Sequence, residues 1–221
     1  MKPDALKTTR VLLAGALCLV ALPARAVVLL PGDNLPLPGT TVAAEPQLAG
    51  EVLVDELIPF SVSDDSITGT VQQRIVRSLV DGTLDFYWRV FNDQESQGAV
   101  GSLRLVNFFS PEYNANYRTD GLGDTAPDSA HRFPAPDESA DLNFVFVTGV
   151  MPGHSSYFLL LDTTATSYAP TALYDLTDTG VGPITPLYTA YSPAPSVPEP
   201  GTVGLVGVGV AVLAWRRRRA S

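Results

Sequence analysis

The clearest hydrophobic pattern in the chain runs from Ile67 to Val90. Ile67, Val71, Ile75 and Leu79 share one parity, with Thr68, Thr70 and Gln72 on the other. Leu84, Phe86, Trp88 and Val90 then alternate with Asp85, Tyr87 and Arg89. Successive side chains of a strand point to opposite faces, so a repeat of two predicts strands and not a helix. Asp81-Gly82, between the two runs, predicts a type I′ turn, in which both central residues take positive φ. The stretch is therefore expected as a half-buried antiparallel hairpin with Trp88 at its core.

The rest of the chain fills in around that hairpin. Residues 27–50 are rich in proline and glycine, and proline removes backbone donors, so an extended lead-in laid along a sheet edge is expected. Residues 51–60 predict a first strand, and residues 100–109 another after a polar turn at 92–98. From 110 to 141 the periodicity lapses among Pro111, Pro127, Pro134 and Pro136, which predicts a long loop. Residues 142–150 and 156–162 flank a hairpin turn at 151–155, and their continuous apolar runs predict strands buried on both faces. Residues 171–176 and 187–191 complete the set, and no stretch of ten or more residues reads as an amphipathic helix. Short strands punctuated by turn signals predict an all-β fold, an antiparallel β-sandwich over residues 27–191. Residues 192–200 read as a stiff proline-rich linker.

The two ends follow other rules. Lys2, Lys7 and Arg10 precede an apolar run over residues 11–22, and Ala24-Arg25-Ala26 offers a small-x-small cleavage site before Val27. This is the pattern of a secretory signal peptide, residues 1–26, handed to Sec-type export machinery and cut after Ala26. At the other end stand Val197, Pro198, Glu199 and Pro200, then an apolar run over residues 202–215, then Arg216, Arg217, Arg218 and Arg219. The run has no polar face, so it is not a soluble surface helix. As a helix its fourteen residues span ~21 Å against a hydrocarbon core of ~30 Å. Trp215 at the boundary and snorkelling arginine stems make up part of the shortfall. A single transmembrane helix over 201–215 is expected, with the arginines as membrane stop and residues 216–221 in the cytoplasm.

In order and spacing, this tail resembles the PEP-CTERM sorting signal of Gram-negative bacteria that make extracellular polysaccharide. The resemblance covers the tail alone. It implies recognition by an exosortase, a membrane transpeptidase-like protease that cuts near the Pro-Glu-Pro, and release of the mature protein or its transfer to another anchor. The precursor would sit in the inner membrane with its domain outside the cytoplasm, and the product at the cell surface or beyond. Residues 82–88, 117–120 and 162–168 are more loosely similar to β-sandwich ectodomains attached to such tails, which implies no activity.

Charge sharpens this picture. Of fourteen basic residues four lie in the signal and four in the tail, so residues 27–200 hold six arginines against twenty-two carboxylates, a net charge of −16. Nucleic acid is excluded as a partner, because its binding needs a basic footprint. Neutral exopolysaccharide and divalent cations remain compatible. Cys18, the one cysteine, leaves with the signal, which excludes cysteine nucleophiles and cysteine-ligated metal sites.

Candidate chemistry is sparse. His131 and His154 are the two histidines, and no Gly-x-Ser-x-Gly elbow accompanies them. Asp120, Asp124 and Asp128, with Asp137, Glu138 and Asp141, crowd one stretch with the hard oxygens that calcium takes, although the spacing is not that of an EF-hand. Calcium is the one candidate cofactor. Tyr113, Tyr117, Tyr168, Tyr174, Tyr188 and Tyr191 are expected in or beside loops, where tyrosine can stack on sugar rings. The expectation is an exported, non-enzymatic surface or extracellular-matrix protein; a carbohydrate- or calcium-binding module is the alternative.

Overall fold

Alternation of period two governs the architecture, and it assembles twelve strands among the described residues. The computed structural model describes residues 26–62, 66–108, 110, 112–134, 142–180 and 185–194. The strands are β1 (Val27–Leu29), β2 (Asn34–Pro36), β3 (Gly50–Ser61), β4 (Thr68–Ser78), β5 (Leu84–Asn92) and β6 (Val100–Val106). There follow β7 (Tyr113–Arg118), β8 (Ser129–Arg132), β9 (Leu142–Val150), β10 (Phe158–Asp162), β11 (Tyr168–Asp178) and β12 (Tyr188–Pro193). They form two six-stranded antiparallel sheets, ordered β1-β7-β10-β5-β4-β3 and β12-β11-β6-β9-β8-β2. One 3₁₀ turn, Pro46–Leu48, is the sole helical element among the described residues. No helix among them is long and apolar enough to cross a membrane.

The core lies between the sheets. Leu84, Phe86, Trp88 and Val90 of β5 meet Leu103 and Leu105 of β6, Phe144 and Phe146 of β9, and Tyr174 and Leu176 of β11. Trp88 is buried, with its ring 5.8 Å from that of Phe108 in an edge-on contact. Fully burying each large apolar side chain stabilises by about 1.5–3 kcal/mol, and without disulfides this packing holds the domain.

The lead-in does lie along sheet edges, giving β1 to one sheet and β2 to the other. Residues 40–49, between β2 and β3, cross the outer face of the first sheet as a strap. Leu48 and Val42 of the strap pack on Val76, Tyr87, Phe158 and Leu160, a second core. The Tyr87 hydroxyl donates to the Leu48 carbonyl (3.0 Å). Thr40 N–H donates to Tyr117 O (2.9 Å), and the buried Asn116 side chain accepts from Gly39 N–H (2.9 Å). Gly39 takes a φ of 73°, and a Cβ there would lie 2.8 Å from the Tyr117 ring.

Several expectations need correction. The β4–β5 hairpin alternates in burial along β4 as expected, but the strap covers one end of its second face, where Val76, Asp85 and Tyr87 are buried. Leu79, read as core, is exposed because β4 ends at Ser78. The turn is not type I′, since of its two central residues Gly82 alone has positive φ (77°), while Asp81 accepts hydrogen bonds from Thr83. β6 stops at Val106, where Asn107 turns the chain with a φ of 57°. The stretch 110–141 is not one long loop, for it holds β7 and β8. β10 is buried on both faces as expected, but β9 alternates and leaves Val147 exposed. β9 and β10 belong to different sheets, so residues 151–155 form a crossover and not a hairpin. β12 takes in Ser192 and Pro193, the first two residues of the expected linker.

Candidate functional site

The crossover brings His154 to Asp124, with Nδ1 3.1 Å from a carboxylate oxygen. Both side chains are more than half exposed, and an ion pair in that setting contributes little. Burial pulls the Asp124 carboxyl upward, but hydrogen bonds from Thr125, His154 and Ser155 outweigh it and hold the group below its ordinary range. The neighbouring hydroxyls are occupied in the frame: Ser155 accepts from Arg89 (2.8 Å), and Ser156 accepts from Val90 N–H (2.9 Å). His131 lies apart, its ring 3.9 Å from that of Phe133.

The carboxylates read as calcium ligands are engaged one by one. Asp120 pairs with Arg118 (2.9 Å) and accepts from Val42 N–H (2.8 Å), whereas Asp128 accepts from Val147 N–H (2.7 Å). Among the described residues no three His, Cys, Asp or Glu side chains are grouped to hold a metal ion. Asp137, Glu138 and Asp141 lie outside the described residues.

The tyrosines divide. Tyr113 and Tyr174 belong to the core and offer no face to solvent. Tyr117, Tyr168, Tyr188 and Tyr191 are half-buried, and each rests against another tyrosine: Tyr117 on Tyr157, Tyr188 on Tyr174, and Tyr168 edge-on to Tyr191.

A buried carboxylate group went unseen in the sequence. Asp85 and Asp162 face each other across β5 and β10, and Glu45 of the strap lies close by. Asp85 is fully buried and no donor reaches either of its oxygens. Burial first, then the negative charges of Asp162, Asp81 and Glu45, push its carboxyl up to about 9. Burial also raises Asp162. A proton on Asp85 can then be donated to Asp162, which is how two adjoining carboxyls coexist. Beside them opens a cavity of about 490 Å³ lined by Ala26, Ala44, Glu45, Gln47, Asn114 and Asp162. Glu45 is 5 % exposed; one oxygen accepts from Ala26 N–H (2.9 Å) and the other is buried without a partner. The one hint in the sequence was Asp162 closing a run buried on both faces; strand register, not spacing, joins these residues.

Of the residues expected to be processed, Ala26 is described and lines this cavity. Ala24, the motif Val197, Pro198, Glu199 and Pro200, and Arg216, Arg217, Arg218 and Arg219 lie outside the described residues. Among the described residues, the last backbone hydrogen bond toward the C-terminus runs from Ala194 N–H to Ser167 O (3.0 Å).

The described residues thus define a two-sheet, all-β domain followed closely by the tail. Over residues 196–219 the chain matches the family model of the PEP-CTERM protein-sorting motif, and so carries that motif. The motif marks it as an exported protein processed by an exosortase. Neither the curated proteins nor the solved structures gave a match.

Proposed function

We propose that the chain is a non-enzymatic display protein of the cell surface or extracellular matrix. The observation that carries this reading is the sorting motif at residues 196–219, which begins two residues beyond Ala194, the last of the described residues. In this reading residues 1–26 are removed on export, and the apolar helix and Arg216 to Arg219 hold the precursor in the inner membrane. The exosortase then cuts near Pro198-Glu199-Pro200 and frees the domain. A net charge of −16 over residues 27–200 keeps the product soluble among matrix polysaccharides. The absence of catalysis is supported by the crossover, where the serine hydroxyls beside His154 already serve the backbone of β5 and Arg89.

Mass spectrometry of the protein recovered from outside the cell tests the reading at both ends. Val27 is expected as the first residue, and Arg216 to Arg219 are expected to be missing. Recovery of a chain that keeps the arginines, with its domain in the cytosol, overturns the proposal. Screening the exported protein on a glycan array separates display from recognition. A specific glycan signal would favour a carbohydrate-binding module instead.

A further inference from the structure

We infer that the cavity between the strap and the outer face of β7 and β10 is the seat of the chain's own α-ammonium group, created at Val27 by signal-peptide removal and paired there with Glu45 and Asp162. The inference rests on the reading of residues 1–26 as a removable signal.

The geometry of Glu45 carries the argument. In the uncut chain the one donor to this buried carboxylate among the described residues is the backbone N–H of Ala26, and the second oxygen has none. Cutting after Ala26 takes that donor away. Both oxygens would then be orphaned inside the fold, and a buried charge without a partner is costly. The same cut supplies the remedy. It makes a group with one positive charge and three donors at the next residue, about 3.8 Å further along the chain. Val27 cannot drift far from the site, because it is registered against Ala115 in β7.

The surroundings call for a cation. The groups facing the cavity and the adjoining Asp85 are Glu45 from the strap, Asp162 from β10, Asp81 from the β4–β5 turn and the neutral Asn114 and Gln47. The guanidinium of Arg118 bears on the Tyr87 hydroxyl and pairs with Asp120. A divalent metal fits less well, since the three carboxylates are not grouped closely enough to ligate one. A tethered ammonium needs no such convergence. It needs one or two acceptors and a local excess of negative charge.

The composition provides a clean test. Lys2 and Lys7 are the only lysines, so the chain from Val27 onward has a single primary amine, its own N-terminus. The exported protein is treated with an amine-acylating reagent at constant pH, folded and in urea, and the rate of modification is followed by mass. The folded protein should react at least about tenfold more slowly, the equivalent of one unit or more of pKa elevation. Complete acylation should lower its melting temperature. Glu45→Gln should speed labelling of the folded protein toward the urea rate and remove the effect of acylation on melting. Labelling of folded wild type as fast as in urea, with no change in melting on acylation, overturns the inference while leaving the export reading intact. Protection that appears only when calcium is added assigns the cavity to a metal and also overturns it. A first residue other than Val27 sinks the inference together with the signal reading, and mass distinguishes that case at once.

Discussion

Asp85 shows how far a residue's neighbours can reverse its usual behaviour. In β5 it occupies the polar parity of an alternating strand, where a carboxylate ordinarily meets water. The strap and β10 instead enclose it beside Asp162, and its carboxyl is pushed up to about 9. Because the folded value lies above the unfolded value of about 3.9, the folded state binds the extra proton between the two. Stability from this group is therefore full below about pH 4 and declines as pH rises toward 9. Asp85→Asn keeps the shape and removes the titration. Urea denaturation at several pH values should show the wild type losing stability across that window, while the variant loses less. Equal slopes for the two proteins would mean that Asp85 is ionised in the fold.

At the scale of elements, legibility followed the source of the burial. β5 was plain because its inner face repeats Leu84, Phe86, Trp88 and Val90 without interruption. β7 was invisible because its sequence, Tyr-Asn-Ala-Asn-Tyr-Arg, carries asparagines; the buried one, Asn116, accepts at its side-chain oxygen from Gly39 N–H, far away in sequence. β9 and β10 read as partners because local sequence says when a strand occurs but not which sheet it joins. The tail was legible for the opposite reason, since a sorting signal is written in contiguous residues. The carboxylate cavity was not, as strap, turn and two strands each contribute one acid. The strap should be energetically significant. Leu48→Ala is expected to cost about 2–5 kcal/mol, because the side chain is fully buried against Tyr87, Phe158 and Leu160. A lower urea midpoint at unchanged slope would register that loss, and an unchanged midpoint would show the strap to be ornamental to stability.

At the scale of the molecule the first and last strands lie on opposite flanks of the sandwich. β1 borders β2 and β8 on one flank. On the other, β12 lies by β3, where the Tyr191 hydroxyl donates to Glu56 (3.0 Å). β12 is an edge strand with β11 as its one neighbour in the sheet. The C-terminal end of that pairing has two registered pairs, Tyr168↔Pro193 and Ala169↔Ser192, before the register shifts between Ala169 and Ala172. If the precursor is moored by its tail, as proposed above, drag on the domain is transmitted through this short, irregular seam. With so few registered pairs before the shift, β12 is the strand expected to detach first under tension. Pulling single molecules between the C-terminus and a handle on β1 should reveal an early, low-force step of one strand's length before the sheets part. A single high-force rupture would show that β12 holds as firmly as the interior strands.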